Sequence, residues 1–240
     1  YLTVGWPRQY GGQGSRMKFA ILEDEINYYG APGQDCSLTY GIVTPTLIAH
    51  CSEEQKKKHL PPLVRGEVTW CEGFSEPNAG SDLAVLSTRA VLQGDYFVLN
   101  GQKAWTSLGH RADWGILLVR TDPDVPRHKG LSMLLVDMTT PGITRNPVNN
   151  RLGRPTWCET FLDNVRIPKE NLVGELNHGW YIAMSTLNNE RSGMQWLAAS
   201  RRSLDRMVQY VRERKALARN PIIRHKLANL AIEVEISRLL

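Results

Sequence analysis

No stretch of this sequence approaches the ~18 consecutive apolar residues of a membrane-spanning helix, so no membrane role is expected. Cysteine is scarce. Cys36, Cys51, Cys71 and Cys158 are scattered, with no CxxC spacing. That pattern implies buried thiols in a reducing compartment, which points to a cytoplasmic location and away from a disulfide frame. The six histidines show no metal-ligand spacing, so no metal is expected. There is no internal repeat and no low-complexity segment, which argues against solenoids and arrays. The chain starts at Tyr1, without Met and without a charged-then-apolar leader, so no targeting segment is expected.

What remains is an ordinary globular composition. With 240 residues, 42% of them apolar and 22% charged, the chain can bury a sizeable core and hold one large domain or two. The net charge of +5 is local. Residues 175–240 carry 11 basic and 6 acidic side chains, and residues 1–174 carry 18 of each. A basic helical end either contacts phosphate or is a solvated face with no partner. No nucleic-acid partner is expected.

Taken in order, residues 1–15 are Gly-rich and turn-like. Phe19, Leu22, Ile26 and Tyr29 recur at helical spacing, so 16–29 reads as a helix ended by Gly30 and Pro32. A second apolar helix spans 37–51. Ser52 is an N-cap candidate for a helix to Lys58, with Glu53 and Glu54 in its first turn and lysines near its end. Pro61-Pro62 is expected to break it. From Trp70 the pattern turns to strands: 83–93, 95–105, 114–120, 131–137, 142–148 and 156–167. A hairpin is expected at Gln93-Gly94-Asp95. Regular turns between many short strands argue for a compact antiparallel sheet domain. Residues 168–174 read as a linker. One long helix then covers 179–214, its buried stripe marked by Trp180, Met184, Leu187, Met194, Leu197, Leu204, Met207 and Val211. A last helix spans 222–240, with Leu227, Leu230, Ala231, Val234 and Leu239 at helical spacing.

Two segments carry the chemistry. The first is Trp70-Cys71-Glu72-Gly73-Phe74-Ser75-Glu76-Pro77-Asn78-Ala79-Gly80-Ser81-Asp82. Pro77 fixes its own φ and pushes Glu76 out of the helical region, Gly80 lets backbone approach a ligand, and Ser81 adds a hydroxyl. Such a loop suits a flat ring with polar edges, or is simply a strand and a turn. The second is Asn100-Gly101-Gln102-Lys103-Ala104-Trp105-Thr106-Ser107, spaced to form a neighbouring strand. A third feature is Glu190, which falls on the apolar stripe between Leu187 and Met194. A carboxylate there is partly desolvated, which raises its pKa and suits it to act as a base for a weakly acidic C–H. The other reading is a structural pair with Arg191.

Together the two segments resemble the flavin-binding middle domain of the acyl-CoA dehydrogenase family. They match its Ser/Thr-Glu-Pro-x-Ala-Gly-Ser-Asp and Asn-Gly-x-Lys-x-Trp-Ile/Thr-Ser/Thr motifs in order. The likeness runs from Gly5-Trp6-Pro7 to about Arg214. It implies an α+β fold: the end of an N-terminal helical domain over 1–69, an antiparallel β-barrel-like middle domain over 70–174, and the start of a C-terminal four-helix bundle over 175–240.

The resemblance also implies roles. Phe74 and Ser75 meet the pyrimidine edge of FAD, Trp105 covers a ring face, Ser107 reaches the N5 side, Gly80 and Ser81 line the site, and Ser81 lies toward the acyl-CoA phosphopantetheine. Trp105 is otherwise a β-core aromatic and the serines turn residues. The reaction implied is α,β-desaturation: a Glu removes the α-proton of an acyl-CoA thioester and the β-hydride passes to FAD. In one branch of the family that Glu follows the β-domain within a Glu-Arg pair, which Leu187-Asn188-Asn189-Glu190-Arg191 matches. Leu187 and Arg191 then lie at the substrate. Arg214 fits the Arg of a segment that touches FAD across subunits, although its Phe and Gly are absent here. Glu72 stands where the family often has Tyr or Gln, and Asn78 replaces a Gly, as a residue that accepts the left-handed region. The partners implied are an electron-transfer flavoprotein and further subunits of a homo- or heterotetramer. A flavin-dependent monooxygenase or oxidase on the same fold, a non-catalytic subunit of a heteromer, and a DNA-binding relative suggested only by the basic end are the alternatives.

Overall fold

The computed structural model describes residues 2–31, 38–191 and 194–239. They form two compact units, one of residues 38–190 and one that joins the two ends of the chain, 1–37 and 191–240.

The unit of residues 38–190 is built on one eight-stranded sheet. Its strands are β1 (Trp70–Gly73), β2 (Arg89–Gln93), β3 (Tyr96–Ser107), β4 (Trp114–Arg120), β5 (Leu131–Asp137), β6 (Ile143–Asn149), β7 (Pro155–Pro168) and β8 (Leu172–Val173). The order is β6-β7-β3-β2-β4-β5-β8, with β1 beside β4. Most pairings are antiparallel, as expected, but β1–β4 and β2–β4 run parallel, so the sheet is mixed. The expected hairpin joins β2 to β3: Gln93 pairs with Tyr96 across Gly94-Asp95, and Gly94 takes a φ of 60°. One face of the sheet holds the main core, including Cys71, Phe97, Leu99, Leu117, Val119, Leu134, Val136 and Val165. Alternation along β4 turns Ile116 and Leu118 to the other face, where they are equally buried.

Three helices pack in this unit: α2 (Thr44–His50), α3 (Glu53–Val64) and α4 (Gly179–Glu190). A π-helical turn, Leu38–Val43, leads into α2, so the expected apolar helix is present with a wider first turn; Ser37 lies outside the described residues. Ser52 caps α3 in a capping box: its side chain accepts from the Gln55 N–H, and the Gln55 side chain accepts from the Ser52 N–H. Gln55 also donates to the carbonyls of Glu170 and Leu172, at 2.7 and 2.8 Å. The expected break at Pro61-Pro62 does not occur. Both prolines sit inside the last turns of α3, and their carbonyls still accept from Arg65 and Glu67 at 3.3 and 3.0 Å. Helix α4 starts against β5 with no room for a side chain. A Cβ on Gly179 would stand 2.4 Å from the Ser132 carbonyl carbon. Further along, the Thr186 and Thr46 hydroxyls meet at 2.9 Å.

Other expectations are corrected. Residues 83–93 are not one strand: a 3-10 turn covers Leu83–Val85, and only Arg89–Gln93 pairs. The intervening N–H groups of Ser87 and Thr88 are taken by the Glu76 carboxylate and so are withdrawn from any ladder. The expected linker 168–174 holds a 3-10 turn, Lys169–Asn171, and strand β8, whose Leu172 and Val173 pair with β5. Asn78 is not left-handed; the described non-glycine residues with positive φ are Trp105, Leu108, Asn164 and Asn177.

The other unit contains α1 (Arg16–Tyr29), α5 (Met194–Arg212), α6 (Lys215–Arg219) and α7 (Pro221–Leu239). Helix α1 has the expected bounds, capped by Ser15. It packs on α5, where Arg201 donates to Asp24 at 2.8 Å, its guanidinium lies over the Tyr28 ring, and the Tyr28 hydroxyl donates to Asp205 at 2.7 Å. The single helix expected over 179–214 is two: α4 ends at Glu190 and α5 begins at Met194, with Ser192 and Gly193 outside the described residues. The short α6 was not expected. On α4 the buried residues are Gly179, Ile182, Ala183 and Thr186, whereas Trp180, Met184 and Leu187 are half-buried. Helix α7 buries none of its expected stripe.

Candidate active site

The two chemical segments are fastened together by one buried ion pair. Lys103, on β3, donates from Nζ to the Glu76 carboxylate at 2.9 Å and to the Phe74 carbonyl at 3.1 Å. Glu76 also accepts from the Ser87 N–H and hydroxyl and from the Thr88 N–H, at 2.7, 2.9 and 2.8 Å. Burial works against its charged form, but the Lys103 charge and these donors prevail and hold the carboxyl down at about 2. Beyond Glu76 the chain turns tightly: Glu76 and Ala79 exchange both backbone bonds across Pro77-Asn78. Next to the ion pair, the Ala104 N–H donates to the Ser75 carbonyl at 2.8 Å, which brings Ser75 beside the end of β3.

There β3 departs from regular pairing. Its register with β7 shifts between Lys103 and Thr106, and Trp105 takes a φ of 59°. The bulge leaves the indole 65% exposed, tilted against Trp157 with centroids 5.4 Å apart. Trp105 is therefore not a β-core aromatic. Ser107 follows on the exposed side, paired in register with Trp157. Phe74 is buried and Ser75 half-buried, while Gly80 and Ser81 are exposed. A Cβ on Gly80 would meet nothing within 4 Å, so the backbone there is open. Among the described residues, the buried Trp157 Nε1, Thr106 Oγ1 and His110 Nδ1 have no hydrogen-bond partner.

Glu190 is the last residue of α4 and is exposed, which corrects the expectation of a desolvated position within a long helix. It follows buried Thr186 by one helical turn, but the helix ends before a further turn can cover it. Neither Glu190 nor Arg191 has a hydrogen bond or ion pair with a described residue. Leu187 is half-buried on the same helix. Arg191 and Arg214 belong to the other unit. Arg214 lies over the Tyr210 ring, 3.6 Å from its centroid, and donates to the Tyr210 carbonyl at 3.0 Å.

Sequence reasoning assigned no role to Glu72, Glu76 or Lys103. Glu72 lies on β1, half-buried, and burial together with the Glu190 charge pushes its carboxyl up to about 8. A charged residue inside the apolar run from Trp70 to Phe74 was the available signal. For the other two, the signal was an acidic and a basic residue on segments expected to be neighbours.

Models of the acyl-CoA dehydrogenase N-terminal, middle and C-terminal domains match residues 1–67, 71–165 and 177–240. The chain belongs to the acyl-CoA dehydrogenase family. Among curated relatives, acyl-CoA dehydrogenase FadE34 of Mycobacterium tuberculosis is 44% identical over 193 residues, 80% of this chain and 27% of that protein. Among solved structures, the Tcur3481-Tcur3483 steroid ACAD G363A variant superposes with a TM-score of 0.92 at 38% identity, covering 99% of this chain and 62% of that one. The ChsE4-ChsE5 complex from Mycobacterium tuberculosis gives 0.89 at 38% identity, over 99% and 63%. The chain thus spans less than two thirds of the length of these relatives. Members of the family are flavoproteins. The outward Trp105 indole, the Ser75 and Ser107 hydroxyls and the open backbone at Gly80 are groups that a flat ring with polar edges can use.

Proposed function

We propose that this chain forms the reaction core of an FAD-dependent acyl-CoA dehydrogenase that desaturates an acyl-CoA thioester between its α and β carbons. The observation that carries the reading is Trp105, turned out of β3 by the bulge and set beside Ser75 by the Lys103–Glu76 pair. Trp105, Phe74, Ser75, Gly80, Ser81 and Ser107 hold FAD, which when bound supplies the hydride acceptor. Arg214 adds a contact to its phosphates, and Ser81 lies toward the CoA chain. Glu190 takes the α-proton, and Leu187 and Arg191 line the acyl site. The open end of α4 suits this role, because a base must reach a substrate and not a neighbouring helix.

The substrate we propose is a bulky or branched acyl-CoA of the steroid side-chain type. The Tcur3481-Tcur3483 steroid ACAD, similar to this chain, supports that reading. An electron-transfer flavoprotein then takes up the electrons. The division into an N-terminal helical part, a middle β-domain and a C-terminal helical part over 1–69, 70–174 and 175–240 is the matching domain reading.

The test is the full-length protein carrying Glu190→Gln. The variant keeps volume and hydrogen-bonding capacity but cannot accept the proton. It should keep its flavin and lose ~10²–10⁴-fold in the rate of anaerobic flavin bleaching by acyl-CoA. Bleaching at near the parent rate would move the base elsewhere.

A further inference from the structure

Among the described residues, Glu72 is a half-buried carboxyl without a hydrogen-bond or ion-pair partner. It sits in the middle of β1, whose residues pair in register with Trp114–Leu117 of β4. Alternation turns Cys71 and Gly73 to the main core and leaves Glu72 on the opposite face, with Trp70. No described residue gives Glu72 a hydrogen bond or an ion pair. Of the described cations nearby, Lys58 of α3 lies over the Trp114 ring, 5.4 Å from its centroid, and forms no ion pair with Glu72. Lys103 is engaged on the other face by Glu76. The π-helical turn 38–43, tied to β1 through Thr39 and Trp70, holds only uncharged side chains and Tyr40, whose hydroxyl donates to the Leu63 carbonyl. On β4 the neighbours are Trp114, Ile116 and Leu118. His59, from α3, packs edge-on to the Trp70 ring. Among the described residues, the charge that bears on Glu72 is Glu190, at the end of α4.

We propose that Glu72 is a specificity-determining residue of the acyl site, where its carboxyl donates a hydrogen bond to a keto or hydroxyl oxygen on the acyl group whose α-proton Glu190 removes. The proposal rests on the reading of Glu190 as the base. Helix α4 packs on the π-helical turn and on β4, the two elements that flank Glu72, so the Glu190 charge bears on a half-buried carboxyl, which keeps its proton and becomes a donor. Burial and the Glu190 charge place that proton on Glu72, up to about 8. A half-buried donor with no internal acceptor gains most from a ligand that brings one, and discriminates against the analogue lacking it. The ligand class is therefore an acyl-CoA that carries an oxygen on its acyl part, apart from the thioester.

The test separates binding from turnover. Non-reacting CoA thioethers are made from a 3-cyclohexylpropyl chain and from its ring-oxo isomers. Their Kd values are measured by calorimetry with the full-length flavoprotein. The best oxo isomer should bind roughly 3- to 10-fold tighter than the plain chain at about pH 6.5, and lose that preference at about pH 9, where Glu72 ionises. Glu72→Leu should abolish the preference. Glu72→Gln, which keeps a donor that does not titrate, should retain it at both pH values. No preference for any oxo isomer, or a preference that survives in Glu72→Leu, overturns the proposal. Desaturation of the parent thioesters, assayed separately, tests the dehydrogenase reading, so the two can fail independently.

Discussion

Lys103 crosses from β3 to Glu76 with Nζ 2.9 Å from Oε1, and neither side chain reaches solvent. The pair joins two segments 27 residues apart in the chain and sets the order of the loop that follows β1. Removing one partner strands the other charge in the interior. Lys103→Met should therefore cost about 3–5 kcal/mol, while Lys103→Met combined with Glu76→Gln should recover a good part of that loss. Denaturant unfolding of the four species of the cycle measures the coupling.

Acid should find the same site. Glu76 is held at about 2, below its ordinary 4.5, so its contribution is complete above about pH 4.5 and is lost as pH falls toward 2. In that window the unfolded chain takes up the proton first. Glu76→Gln should start less stable at neutral pH and show a flatter decline on acidification, as followed by urea unfolding at stepped pH.

Gln55 serves three backbone groups at once: the Ser52 N–H and the carbonyls of Glu170 and Leu172. Gln55→Leu removes all three bonds. A loss of about 2–3 kcal/mol is expected, with faster amide exchange at Leu172 and Val173 as the local signature.

Trp105 carries both a backbone penalty and a ligand face. At a φ of 59°, Trp105→Gly should be more stable than Trp105→Ala by about 1 kcal/mol. Both variants should bind flavin more weakly, read from the visible spectrum of the purified full-length protein. Equal flavin content in parent and variants would remove Trp105 from the site.

Assembly is the last expectation. Ile222, Leu230, Ile232, Ile236 and Leu239 leave α7 exposed, and Trp196, Met207 and Tyr210 do the same on α5. Such faces call for further helices or subunits. The complete protein should scatter light as a tetramer, with either four copies or two kinds of chain, and a stable monomer would contradict this.

Much of the fold was legible because side-chain period is a local property. The bounds of α1, β4 and β5 follow from apolar spacing alone. The misses have non-local causes. Ser87 and Thr88 leave the strand pattern because a carboxylate eleven and twelve residues away claims their N–H groups. Pro61 and Pro62 stay within α3 although each lacks the N–H that would complete its turn. The site residues Ser75, Trp105 and Ser107 were legible as motifs, yet the bulge that turns Trp105 outward was not, since a register shift belongs to two strands. The end of α4 at Glu190 lay hidden in a stripe that continues, in period, through Leu204.

The unit that joins the two ends of the chain also sets an order of events during synthesis. Asp24 and Arg201, bonded at 2.8 Å, are 177 residues apart. At ribosomal rates of about 5–20 residues per second, α1 waits on the order of ten seconds or more for α5 to emerge. The sheet of residues 38–190 is finished in the meantime. Throughout that interval Asp24 and Tyr28 stand on a helix whose partners, Arg201 and Asp205, have not been made. A nascent chain stalled between α4 and α5 should therefore hold a protected sheet and an α1 open to chaperones and proteases.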